Sequence, residues 1–275
     1  MWLNDFYHTL NPIAFAIGPF AVRWYGLAYM AGFICAGIIM VRYARRWELD
    51  INAEDVISLI TGIALGVIIG GRLGYVLFYG AGEYLKNPIS ILYLNEGGMS
   101  FHGGLVGAVL AGWICCRHMG LNFLTMCDLG ACGAPAGLFF GRCANFVNGE
   151  LWGKECDLPW AVMFDNTSGG AVYRHPSQLY EAILEGLVIL LVLFLLSRQV
   201  PPRPQGTFIG TLLALYGVFR FCIEFVRLPD VQLGYLLGTG WLTMGQVLSL
   251  PLVVAGVALL VWAAKTNRPQ IGHVA

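Results

Sequence analysis

Long apolar windows alternate with short polar connections along nearly the whole chain. Seven windows stand out, at about residues 21–41, 56–79, 98–116, 123–146, 178–197, 206–226 and 241–264. A helix crossing roughly 30 Å of hydrocarbon needs about 20 such residues. The pattern therefore predicts an all-α membrane protein, a polytopic bundle of seven transmembrane helices. Polar residues interrupt the fourth and sixth windows and blur their ends. The polar stretch 148–176 predicts an outer loop that caps the bundle. Residues 1–275 read as a single integral membrane domain.

Composition sharpens this picture. Of 275 residues, 57% are hydrophobic and 12% charged, with a mean hydropathy of +0.69. A soluble domain carries about a quarter charged residues. Formal net charge is zero, so no basic surface argues for a nucleic acid partner. The N-terminus, MWLNDFYHTLNPIAF, lacks the positive n-region of a signal peptide and carries Asp5. Its aromatics Trp2, Phe6 and Tyr7 suit a headgroup interface, which predicts a retained interfacial segment. Eight cysteines are scattered without metal-ligand spacing. They read as small apolar packing residues, with Cys156, in the polar loop, as the candidate for reactivity. No metal and no cofactor is expected.

The short connections set a direction. Arg42, Arg45, Arg46, Arg117, Arg198, Arg203, Lys265 and Arg268 follow alternate windows, against Lys86, Lys154, Arg174 and Arg227 on the other side. Basic residues favour the cytoplasm, which predicts an outside N-terminus and a cytoplasmic C-terminus. Gly62, Gly66, Gly70 and Gly74 recur every fourth residue, as do Gly133, Gly137 and Gly141. Small residues at that interval let helices approach closely within a bilayer.

Ionisable side chains inside spans are costly and face a protein interior or an aqueous cavity. Arg72, His102, Arg142, Arg220 and Glu224 qualify, with Tyr25, Asn145 and Tyr216 as weaker companions. On the predicted topology all fall in the outer half of the membrane. Tyr216, Arg220 and Glu224 lie on one helix face at i, i+4 and i+8, continued by Arg227, and Arg142 shares a face with Asn145. Two helices thus each offer a guanidinium fork suited to phosphate. The competing readings are an ordinary Arg220–Glu224 ion pair, an Arg72 that snorkels and a satisfied buried His102. Against the last, GGMSFHGG surrounds His102 with glycines at the start of a span, a context that lets backbone approach a ligand.

The chain holds no HExxH zinc motif and no GxSxG nucleophile elbow. No paired carboxylates are expected to line a span, and no inverted repeat is visible. A carrier of an anionic lipid or metabolite is the rival class, since arginines in a cavity serve transport equally well.

Six stretches then carry a resemblance. VRWYGLAY at 22–29, GGRLGY at 70–75, GGMSFHGG at 97–104, GRCANFVNGELWG at 141–153, HPSQLYE at 175–181 and LYGVFRFCIEFVRLPD at 215–230 resemble the prolipoprotein diacylglyceryl transferase family. Ala144 stands where that signature often has glycine. The resemblance implies seven spans in the bacterial inner (cytoplasmic) membrane, with the active site facing outward. It implies transfer of a diacylglyceryl group from phosphatidylglycerol to the thiol of a lipobox cysteine in a prolipoprotein signal peptide. The products would be a thioether and glycerol 1-phosphate, in the first step of lipoprotein maturation. It also implies functional roles for Tyr25, His102, Arg142, Asn145, Glu150, Gly153, Tyr216, Arg220 and Glu224. His102, Arg142 and Arg220 are the catalytic candidates, with Arg72 added to the substrate-binding set.

The chemistry so implied makes two demands. A thiol of pKa about 8.5 must lose its proton before it attacks well, and charge growing on the departing phosphate must be neutralised. Arg142 and Arg220 suit the second demand. His102 suits the first as a base, or it positions the lipid; the residues alone leave both open. Glu224 would orient Arg220, while Asn145 and Tyr25 would hold headgroup hydroxyls or the peptide. The loop 148–176 would recognise the signal peptide or simply seal the site.

Overall fold

The computed structural model describes residues 1–18, 20–79, 84, 87–93, 98–229 and 234–274, with the side chains of Phe20 and Phe101 excepted. Lys86, Gly97 and Asp230, used in the sequence reading, lie outside the described residues. Helices stand at all seven apolar windows. They are α2 (Trp24–Arg46), α3 (Ala53–Tyr79), α4 (Phe101–Met119), α5 (Phe123–Asn148), α6 (Ser177–Ser197), α7 (Thr207–Ile223) and α8 (Met244–Thr266). A short α1 (Trp2–His8) and a hairpin of β1 (Ile13–Ile17) and β2 (Phe20–Arg23) precede them. Among the described residues five helices, α2, α3, α5, α6 and α8, are long and apolar enough to cross a bilayer. At Thr207–Ile223, α7 is a shorter apolar helix. The chain is thus a predominantly helical, multi-pass membrane protein.

The chain divides into two compact units, Met1–Tyr43 with Cys127–Gln270, and Ala44–Met126 with Ile271–Ala275. In the second unit the glycine row of α3 lies against a small-residue row of α4 at the same four-residue spacing. A Cβ on Gly70 would sit 2.8 Å from the Gly107 Cα, and one on Gly74 would sit 2.8 Å from the Gly103 Cα. Backbones this close exclude side chains and maximise dispersion contact, which holds helices together where no hydrophobic driving force operates. Ser100 caps α4, its Oγ accepting from the Gly103 N–H at 3.2 Å, and Gly120 ends the helix at φ +68°.

In the first unit, α2 and α5 meet the same way. A Cβ on Gly133 would reach the Ala36 Cα at 2.7 Å, and one on Gly32 the Gly137 Cα at 2.8 Å. Gly141 does not continue that row, because a Cβ there would meet open space. Gly210 and Gly217 of α7 face Gly256 and Val253 of α8, where added side chains would strike backbone. Asp128, fully buried on α5, accepts from the Gly206 N–H at 2.7 Å and the Ile209 N–H at 2.8 Å at the start of α7. A carboxylate there satisfies donors that a helix N-terminus leaves unpaired.

The loop after α5 folds with the N-terminus. Leu3, Tyr7, Phe146, Val162 and Phe164 form a buried cluster. Tyr7 donates to Asn166 Oδ1 at 2.6 Å, and Asn4 Oδ1 accepts from the Met163 N–H at 2.9 Å. Antiparallel β3 (Val162–Met163) and β4 (Tyr173–Arg174) brace the loop. Tyr7 therefore corrects the expectation of three interfacial aromatics. Trp2 and Phe6 are exposed, whereas Tyr7 points into this small core.

Candidate active site

The first unit gathers three arginines and three glutamates from three helices and the chain just after α7. Arg142 comes from the last turns of α5. Its Nε lies 2.6 Å from Glu181 Oε2 and its Nη2 3.4 Å from Glu185 Oε2, both on α6. From α7, Arg220 reaches the other Glu181 oxygen through Nη1 at 3.0 Å, and its own Glu224 one turn on through Nη2. Arg227 adds contacts to Glu224 Oε1 at 3.1 Å and Glu181 Oε1 at 3.6 Å. Glu181 is the hub. One carboxylate contacts three guanidinium groups that would otherwise repel one another in a poorly screening interior.

Local structure explains why these groups meet. Gly186 presses α6 onto α5, since a Cβ there would lie 2.9 Å from the Phe139 Cα. The stretch Ala182–Val188 winds as a π-helix, the kind of widened turn that recurs at functional sites. Glu224 is seated by α8. The Thr243 hydroxyl donates to it, and a Cβ on Gly245 would come within 2.6 Å of Glu224 Oε1. Thr243 and Gln246 close a reciprocal cap at that helix start, whose positive end favours a carboxylate.

Exposure divides the cluster. The Arg142 and Arg220 side chains are 18% and 14% exposed, whereas those of Glu181 and Glu185 are 1% and 0%. The arginines form the accessible face and the carboxylates lie buried behind them. Tyr216 is within electrostatic reach of Arg142, Arg220, Glu181 and Glu185, and Tyr25 of Arg142 and Glu150. The Tyr25 hydroxyl lies 3.1 Å from that of Tyr29.

A second set of contacts extends this centre to the loop. Asn145 and Asn148 donate to Glu150 Oε1 at 2.8 and 3.2 Å, and Gln178 Nε2 donates to the Glu150 carbonyl at 2.7 Å. The Gly153 N–H bonds the His175 carbonyl at 2.9 Å, and Gly153 bridges Arg227. A Cβ on Gly153 would collide with His175 and the Val226 carbonyl, so only glycine lets the three segments touch. Burial, then the charge of Lys154, holds His175 below the ordinary imidazole value.

Eight of the sequence-predicted residues thus share the first unit: Tyr25, Arg142, Asn145, Glu150, Gly153, Tyr216, Arg220 and Glu224. Arg72 and His102 belong to the second. Arg72 is buried, and donates to the carbonyls of Ser90, Ile91, Tyr93 and Gly98 at 2.7–3.3 Å. His102 stands exposed in the first turn of α4, just after the Ser100 cap.

Glu181 and Glu185 were missed, and they correct the expectation that no paired carboxylates line a span. They lie one turn apart on α6. The signal was present as two ionisable residues at i and i+4 in an apolar window.

A helical membrane protein with an arginine–carboxylate centre among its spans is the class that fold and site define. The family model described as prolipoprotein diacylglyceryl transferase matches residues 12–262. A phosphatidylglycerol–prolipoprotein diacylglyceryl transferase of Pseudomonas paraeruginosa is 48% identical over 264 residues, covering 96% of this chain and 97% of that protein. One of the same name from Nitratidesulfovibrio vulgaris is 50% identical over 251 residues, covering 91% and 94%. The chain belongs to the prolipoprotein diacylglyceryl transferase family.

Proposed function

We propose that this protein is a phosphatidylglycerol–prolipoprotein diacylglyceryl transferase, acting in lipoprotein maturation, as the names of its relatives and its family indicate. The observation that carries the reading is the pair of partly exposed guanidinium groups set over buried carboxylates. With three arginines against three glutamates the centre is formally neutral, so an incoming phosphate exchanges for a carboxylate contact such as the 3.4 Å Arg142–Glu185 pair.

In the reaction the sulfur of the lipobox cysteine attacks a glycerol carbon of phosphatidylglycerol. The C–S bond forms as the C–O bond to phosphate breaks, the thiol proton passes to a base, and glycerol 1-phosphate leaves. Arg142 and Arg220 hold the phosphate and neutralise the charge it gains. Glu181 and Glu224 orient the two forks, while Tyr216 and Tyr25 border them. Asn145, Glu150 and Gly153 tie this face to the loop that receives the headgroup or the peptide. Arg72 serves the lipid only indirectly, by holding the backbone at Ser90, Ile91, Tyr93 and Gly98 in place.

His102 is the base or a lipid-positioning group. Glu185 Oε1, buried and without a hydrogen-bond donor among the described residues, is the second proton acceptor. Replacing His102 with Gln separates the two: near-normal turnover with an unaltered pH profile assigns the proton to the carboxylate. The seven helices span the bacterial inner membrane with the N-terminus outside, residues 148–176 capping the outward-facing site. Arg227, being paired inside the centre, leaves the count of outer loop charges, which strengthens the basic bias of the cytoplasmic side.

The deciding experiment combines purified protein, phosphatidylglycerol vesicles and a lipobox peptide with one cysteine, and weighs the peptide. A gain of one diacylglyceryl group, absent with a serine peptide, is expected. Lipid binding by folded protein with no mass gain would turn the reading toward the rival carrier.

A further inference from the structure

The end of α2 remote from Tyr25 bears a groove that the transfer reaction does not use. It lies between α2 and α6 in the first unit and has a volume of about 380 Å³, within the roughly 300–1,000 Å³ range of ligand sites. Ile39 lines one side and Leu187, Leu191 and Phe194 the other, with Arg42 and Tyr43 on the α2 side. At about 1.5 Å rise per residue, Arg42 stands some 26 Å along α2 from Tyr25. On α6 the groove begins at Leu187, two residues past Glu185, and runs away from the arginine–carboxylate centre to Phe194, about 14 Å along the helix from Glu185.

Both walls belong to helices that qualify as membrane spans, so the groove opens to acyl chains rather than to water. Leu187, Leu191 and Phe194 are each about half exposed, at 45%, 56% and 46%. Arg42 is exposed, and the Arg198 guanidinium lies 5.8 Å from the centroid of the Phe194 ring. An apolar trough with Arg42 in its lining and Arg198 beside its Phe194 wall matches one anionic head and one hydrocarbon tail. A zwitterionic lipid would bring its own cation to the same place.

We propose that this groove is a resident site for one anionic glycerophospholipid of the leaflet at this end of the spans. Its acyl chain lies along Leu187, Leu191 and Phe194, its phosphate meets Arg42 and Arg198, and it fastens α2 to α6. A basic residue at a membrane surface favours an anionic lipid by about fivefold, and each arginine should contribute on that order.

The test is native mass spectrometry of the full chain released from nanodiscs holding equal phosphatidylglycerol and phosphatidylcholine. The protein should retain one more phosphatidylglycerol than Leu191→Trp, which fills the trough. Arg42→Gln and Arg198→Gln should each lower the retained anionic-to-zwitterionic ratio about fivefold. Circular dichroism checks that the variants fold; should the tryptophan variant fail, the two exposed arginine positions carry the test. Equal lipid counts in all proteins would overturn the proposal, and so would a groove lipid retained without headgroup preference.

Discussion

Arg72 and Arg142 are both arginines on apolar helices, and they are satisfied in opposite ways. Arg72 directs its donors to four backbone carbonyls, which are neutral and fixed in place by the chain. Arg142 faces two carboxylates on another helix, one close and one at 3.4 Å. Carbonyls hold a guanidinium as a strut, and nothing that arrives later displaces covalent backbone. Carboxylates hold it as a charge, and a competing anion offers the same bidentate geometry. The acceptor, rather than the arginine, separates a structural cation from one able to exchange partners.

The sharpest way to break this comparison is at the shared carboxylate. Glu181→Gln leaves Arg142 and Arg220 facing each other with no charge between them. Breaking a buried pair costs about 3–5 kcal/mol, so thermal unfolding in detergent should show the largest stability loss of the set. An unchanged midpoint would mean that water or lipid, not Glu181, compensates the arginines.

Arg142→Lys keeps the charge and removes the fork. Stability should stay near that of the parent while lipobox-peptide turnover falls about 10²-fold, the scale of losing one donor to a developing anion. Equal turnover would cut the link between guanidinium geometry and the chemistry.

Arg72→Lys should do the reverse. Several carbonyl contacts are lost at about 1 kcal/mol each, partly recovered by the ammonium, for a net loss of about 1–2 kcal/mol. Turnover of the folded fraction should be unaltered; a drop in turnover without a stability change would place Arg72 on the substrate.

The smallest effect is expected at the surface. His8 and Asp165 pair at 2.8 Å and join α1 to the loop. The hydrogen bond from Asp165 raises the His8 pKa above its ordinary 6.5, and His8 in turn lowers Asp165 below 3.8. The histidine contribution is complete below pH 6.5 and fades as pH rises through the raised value. The aspartate contribution is complete above pH 3.8 and fades as pH falls through the lowered one. Protection of residues 2–8 against hydrogen exchange, taken relative to the intrinsic rate at each pH, should therefore be greatest between these limits, and His8→Gln should flatten that profile. A profile that stays the same in that variant would assign the pH response elsewhere.

The long apolar helices were legible because a bilayer imposes one rule on every helix that crosses it, and composition reports that rule residue by residue. The Tyr216–Arg220–Glu224 face was legible for a related reason, since neighbours at i+4 are set by helix geometry alone. Glu185 was not, because its partner lies 43 positions away in the chain. Asp128 was equally silent, as its donors begin at Gly206. The glycines of α3 announced a close contact without naming α4 as its partner, and Gly141 continued the pattern while facing open space. The loop 148–176 had no periodicity to read; its core is completed by Leu3 and Tyr7 of the far N-terminus.

By itself, then, the sequence determined that this protein is helical and membrane-embedded, with costly charges at Arg142, Arg220 and Glu224, because burial in hydrocarbon acts on each segment separately. Tertiary structure alone decided which charges compensate one another, which glycine rows meet, and that the arginines stand forward of their carboxylates. Those outcomes depend on pairs of distant residues, and the free energy of a pair is a property of their separation in space, which a linear order of residues does not contain.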